Sequence, residues 1–194
     1  MTGQVLPVRI DAAHALRRFR RRRFVNLFGF WPHPPAKVDA AGNPASLEIV
    51  WMPAYAYRFA MFHKGKQVYS LVSVDASFGG FSLFGRRGEL EDAPADAEGL
   101  PPTIGEARAE ELAREGIVRY ILRTRGAKPN PEDIVERFTY HAPVWVYYFR
   151  RLGGKLDLAV LDAYSGDAMG GLVRRSIVEA FIAQRAARTP ATPS

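Results

Sequence analysis

Two stretches of the chain alternate apolar and polar positions in the same order. In residues 54–79, AYAYRFAMFHKGKQVYSLVSVDASFG, the residues Tyr55, Tyr57 and Phe59 fall on one side of an extended chain. Residues 144–166, VWVYYFRRLGGKLDLAVLDAYSG, set Trp145, Tyr147 and Phe149 in the same way. Each run follows a proline (Pro53, Pro143), breaks at a glycine turn (Lys64 with Gly65, Gly153 with Gly154) and ends in Asp-Ala-x-x-Gly. Glycine supplies the positive φ that tight hairpin turns need. From Pro to Asp the runs span 22 and 19 residues, a difference that a hairpin loop absorbs. The pattern predicts an internal duplication with one hairpin per half. Short strands are expected before each proline, at 46–52 and 134–140, and a further strand at 81–84 in the first half.

Helical spacing precedes each hairpin. Residues 10–24 carry it through Ile10, Ala13, Leu16, Phe19 and Phe24, and residues 104–125 through Ile104, Ala107, Leu112, Ile117, Tyr120 and Ile121. Gly116 falls inside the second pattern, where glycine costs roughly 1 kcal/mol relative to alanine and is expected to bend or break the helix. A third helix, 168–187, is expected behind an Asp167 cap, with Met169, Leu172, Val173, Ile177, Ala180, Phe181 and Gln184 on one stripe. A two-stranded hairpin alone is marginal, so each aromatic face is expected under the helix of its own copy. The fold class that follows is α+β: two repeats, each a helix packed on a small antiparallel β-meander, with a C-terminal helix.

Residues 88–103, GELEDAPADAEGLPPT, hold five acids and three prolines without aliphatic periodicity, which predicts a solvated linker. The expected organisation is therefore a first repeat with a basic N-terminal helix at 1–87, the linker at 88–103, a second repeat plus the C-terminal helix at 104–187, and a disordered tail at 188–194.

The order of helix, Pro-led aromatic strand, tight turn, apolar strand and Asp-Ala-x-x-Gly resembles the PepSY pattern, a small α+β module of peptidase propeptides and other bacterial proteins. IGEARAEELA, APVWVYYF and AVLDAYSG carry the resemblance within 104–166, and MPAYAYRF and SVDASFGG carry it within 10–80. The resemblance implies a non-enzymatic regulatory module that binds or restrains a protein partner; some members of the family inhibit peptidases. No signal-peptide pattern and no attached peptidase accompany it here.

Composition narrows the classes. Hydrophobic residues make up 47% of the 194 positions, ample for a core, and the absence of cysteine excludes disulfides, thiolate metal sites and a cysteine nucleophile. No run of about 18 apolar residues offers a membrane span, so the expected location is cytoplasmic, with membrane contact only from the side. The net charge of +7 sits in residues 1–37, where eight Lys/Arg face Asp11 alone; the remaining 19 basic residues are balanced by 19 acids.

Candidate chemistry is sparse. Asp75 and Asp162 occupy equivalent places and could serve as paired carboxylates. Each also stands where a side chain caps the backbone two residues on, with Gly79 and Gly166 supplying the turn, and these four residues are assigned that structural role. His14, His33, His63 and His141 lack ligand spacing, and no nucleophile or phosphate-loop motif is present, so no catalytic residue, metal or cofactor is assigned. Alternation leaves Phe62 and Tyr148 on the side away from the helix, as candidate contacts for a partner protein. The stretch LRRFRRRRFVNLFGFW, residues 16–31, sets Arg17, Arg18, Arg21 and Arg22 opposite an apolar side. Three readings stay open for it: the wet face of a covering helix, contact with an acidic protein or anionic membrane, and a grip on nucleic acid.

Overall fold

The computed structural model describes residues 3–20, 37–38, 44–45, 47–95, 97–126, 128–150 and 156–188. The chain is α+β. Its contacts divide it into two units: Met1–Leu6 with Met52–His141, and Pro7–Trp51 with Ala142–Ser194. These bounds differ from the sequence expectation of 1–87 and 104–187.

The strand expected at 46–52 and the aromatic strand after Pro53 are one strand, β4 (Leu47–His63), and the same holds across Pro143 in β8 (Asn130–Arg150). The prolines survive mid-strand because each sits one step beyond the hairpin ladder. Ala54 opposite Asp75 is the last pair of β4 with β5 (Lys66–Asp75), and Val144 opposite Asp162 the last pair of β8 with β9 (Leu156–Asp162). Each proline then accepts one bond through its carbonyl, from Ala76 N or Ala163 N at 2.9 and 3.0 Å, and the return bond that proline cannot donate is not required.

In the first unit the strands run in the order β6-β5-β4-β8-β1-β7, where β6 is Phe81–Leu83, β1 is Gln4–Val5 and β7 is Glu91–Asp92. The turn between β4 and β5 has positive φ at both Lys64 and Gly65, as the right-handed twist of a two-residue hairpin favours. Helix α2 (Glu106–Arg123) lies on this sheet. Its Ala109, Ala113, Ile117 and Ile121 are buried with Tyr57, Phe59, Met61, Val72 and Val74. The helix is unbroken at Gly116, whose bare backbone admits the ring of Phe81; a Cβ there would meet Phe81 Cδ2 at 2.1 Å. Residues 88–95 and 97–103, expected as a solvated linker, are largely exposed but do not run free. They carry β7, paired with β1, and bury Ala97 and Leu100, which lets an acidic segment hold to the unit through two small apolar anchors.

In the second unit helix α1 (Ala12–Arg20) is capped by Asp11, whose Oδ1 accepts His14 N at 2.6 Å. Its Ala15 is fully buried, and Phe19 stacks on Tyr147 of β8 at 5.2 Å between ring centroids. Strands β2 (Lys37–Val38) and β3 (Pro44–Ala45) pair with each other. Helix α3 (Gly171–Arg188) starts three residues later than expected. Asp167 is not its cap: the Asp167 carbonyl accepts Asp162 N and Met169 N donates to Val160 O, so 167–169 run along β9 and Gly170 and Gly171 release the chain into the helix. Val173, Ile177 and Ala180 face inward, whereas Leu172 is exposed.

The placement of the helices corrects the sequence reading most. Helix α2 covers the hairpin that precedes it, β4 with β5, and α1 covers the distant hairpin, β8 with β9. Amphipathicity identifies the face a helix buries but not the sheet that receives it.

Candidate binding surface

The two Asp-Ala-x-x-Gly turns share one hydrogen-bond set. Asp75 Oδ1 accepts Ser77 N at 2.7 Å and Phe78 N at 3.1 Å; Asp162 Oδ1 accepts Tyr164 N at 2.7 Å and Ser165 N at 3.1 Å. Gly79 N and Gly166 N close the turns onto Asp75 O and Asp162 O, with φ of +78° and +79°. The carbonyl of the residue after each Asp then anchors the entry to the covering helix. Ala76 O accepts Thr103 N and Ile104 N, and Ala163 O accepts Arg9 N and Ile10 N. Both carboxylates are thus committed to backbone donors. Burial nevertheless pushes the Asp75 carboxyl up to about 6, against the opposing pull of the Ser77 and Phe78 amides.

The turns differ in what approaches the glycine. Leu112 and Ile104 pack against Gly79, and Arg18 and Ile10 stand at the same places against Gly166. Arg18 Nη1 donates to Gly166 O, and Arg9 lies over the Tyr164 ring at 4.3 Å. Among the arginines singled out in the sequence, Arg17 is exposed, Arg18 is tied to the turn, and Arg21 and Arg22 lie outside the described residues. The apolar side of α1 is occupied by its hairpin through Ala15 and Phe19. Trp145 Nε1 adds a bond to Ile10 O at 2.6 Å.

Tyr148, expected as an exposed contact, is 4% exposed, and its hydroxyl bonds to the Glu48 carboxylate. Burial, first, and the neighbouring Glu48 push its phenol well above the usual range. Alternation misplaces Tyr148 because this half of β8 is buried on both sides: Val146 and Tyr148 on one, Tyr147 on the other.

Phe62 is different. It is 49% exposed near the tip of the β4–β5 hairpin, on the face opposite α2. The register sets Arg58 opposite Leu71, Ala60 opposite Tyr69 and Phe62 opposite Gln67, so Tyr69 is the diagonal neighbour of both Arg58 and Phe62 on that face. Tyr69 is 50% exposed and carries the Arg58 guanidinium over its ring at 4.3 Å. Arg58 is also 3.8 Å from Glu136, whose carboxyl is held below its ordinary range, chiefly by the hydrogen bond from Arg87. The sequence reading missed Tyr69 and Arg58. A signal was available: between Glu48 and Asp75 the chain has Arg58, Lys64 and Lys66 and no acid at all.

Among the described residues no three His, Asp or Glu side chains converge as metal ligands, and no helix is long and apolar enough to cross a membrane. No family model, curated protein or solved structure matches the chain.

Proposed function

We propose that this chain is a non-enzymatic binding module that restrains a protein partner, in keeping with its PepSY-like sequence pattern, and that the partner contacts Arg58, Phe62 and Tyr69. The observation that carries the reading is the exposed pairing of Arg58 with Tyr69 beside Phe62. Aromatic and arginine side chains of this kind dominate binding hot spots, and a half-exposed aromatic pair on a hairpin contributes little to its own core. The two carboxylates most suited to acid–base work are held by backbone amides, which favours a structural role for both.

The test is replacement of Phe62 and Tyr69 together by serine. The wild-type chain is expected to retain a partner from native extract at physiological salt, and the double variant to lose it with its melting temperature unchanged. Equal retention by both would remove this surface from the interaction. The alternative, an adaptor for anionic membrane or nucleic acid through the Arg-rich segment, draws support from the exposed Arg17. It predicts that Arg17→Glu with Arg21→Glu and Arg22→Glu abolishes co-sedimentation with anionic vesicles or oligonucleotides.

A further inference from the structure

The backbone beside the aromatic pair is open. Within β5 the odd-numbered residues turn their peptide groups away from β4: Leu71 O accepts Phe84 N and Asp75 N donates to Gly80 O, at 2.8 and 2.9 Å. The neighbouring strand β6 pairs only with residues 72–74 of β5. Gln67 and Tyr69 have the same parity as Leu71, so their N–H and C=O groups point outward along an edge that no described strand occupies. An extended chain placed there would meet a donor and an acceptor on each of two alternate residues, with the Tyr69 and Phe62 side chains on the adjoining face.

Charge selects the occupant. Lys64 and Lys66 are exposed at the same tip, and no carboxylate among the described residues pairs with them. The chain's own acidic segment at 88–103 is already engaged with the first unit. A second copy docking edge to edge would offer this edge further lysines and, from residues 49–74, no carboxylate, which disfavours self-association. Phosphates could answer the lysines but would leave the outward carbonyls of Gln67 and Tyr69 unmet. An acidic strand answers all of these groups.

We infer that residues 66–70 of β5 form a docking edge for an acidic, extended peptide segment of a partner protein, which joins the sheet as an added antiparallel or parallel strand. This rests on the proposed binding role and names the chemistry of the partner.

The test selects a phage-displayed library of short random peptides on the full chain. Enriched peptides are expected to carry Asp or Glu around a proline-free, β-prone centre. Saturation with one of them should slow amide exchange at Gln67 and Tyr69. Gln67→Pro removes an outward N–H that β4 does not use, and should weaken binding about tenfold or more; Lys64→Glu with Lys66→Glu should do the same. Neutral or basic peptides, no enrichment, unchanged exchange at the two amides, competition by an oligonucleotide, or a dimer formed through this edge would each overturn the edge. If Gln67→Pro fails to fold, the exchange measurement on the wild type decides. Binding that survives Gln67→Pro but is lost with Phe62 and Tyr69 would overturn the edge and leave the binding role standing. Binding indifferent to both would remove the two together.

Discussion

At the scale of single residues, the two turn aspartates make the same bonds, yet Asp75 pays an ionisation penalty. Its folded pKa, about 6, lies above the ordinary 3.8, so the protonated carboxyl is the better fit. The sign follows from linkage: Asp75 favours the folded state most below the unfolded pKa, and that contribution is lost as pH rises through about 6. A shift of this size corresponds to about 3 kcal/mol. Asparagine keeps an oxygen for Ser77 N and Phe78 N and does not ionise. Asp75→Asn is therefore expected to raise stability by up to about 3 kcal/mol near neutral pH and to match the wild type near pH 4. Denaturant melts across that range check it; a variant less stable than wild type at neutral pH would mean that the negative charge itself holds the turn. These turns were legible in the sequence, because Asp-Ala-x-x-Gly encodes local backbone bonds that need no knowledge of distant residues. Tyr148 was not, because its burial depends on what lies across the strand, and alternation carries no information about that.

At the scale of elements, helix α2 shows how packing overrides propensity. Alanine at position 116 would favour the isolated helix by roughly 1 kcal/mol. In the folded chain its Cβ would strike the Phe81 ring, so Gly116→Ala is expected to destabilise by about 1–3 kcal/mol. Calorimetry on Gly116→Ala, Phe81→Leu and the double variant measures the coupling. Additive effects would show that the glycine is there for another reason. The sequence revealed the paired strands and the helices, since period and turn residues are local signals, but only part of each apolar side: Ile117 and Ile121 are buried as expected, whereas Ala13, Ala107 and Tyr120 are exposed and Ala15, Ala109 and Ala113 are buried instead. It did not reveal which helix meets which hairpin. Ile104 and Ile10, or Ala109 and Ala15, serve equally well on paper, and only the anchoring of Ile104 N to Ala76 O and Ile10 N to Ala163 O distinguishes the pairings. The exposed contact surface was half legible: Phe62 follows from alternation, whereas Tyr69 and Arg58 join it only through cross-strand register.

At the scale of the whole molecule, the acidic segment at 88–103 invites a cut that would separate two tandem domains, and the structure argues against independence of the halves. Residues 1–96 contain hairpin β4–β5 without α2, and residues 97–194 contain hairpin β8–β9 without α1. Each fragment is expected to lack a cooperative melting transition alone and to recover one when the two are mixed, because mixing restores the Tyr57–Ile117 and Phe19–Tyr147 contacts. Calorimetry of the separate and mixed fragments measures this; a cooperative transition in residues 1–96 alone would contradict it. The same arrangement sets a schedule during synthesis. The Tyr57 hydroxyl finds its acceptor, Glu106 O, 49 residues downstream, whereas Arg18 must wait 148 residues for Gly166. At roughly 5–20 residues per second on the ribosome, that wait is about 7–30 s. The helix that carries Arg18 and Phe19 thus leaves the exit tunnel well before the hairpin that receives it, and whatever shields it in that interval belongs to the folding of this protein.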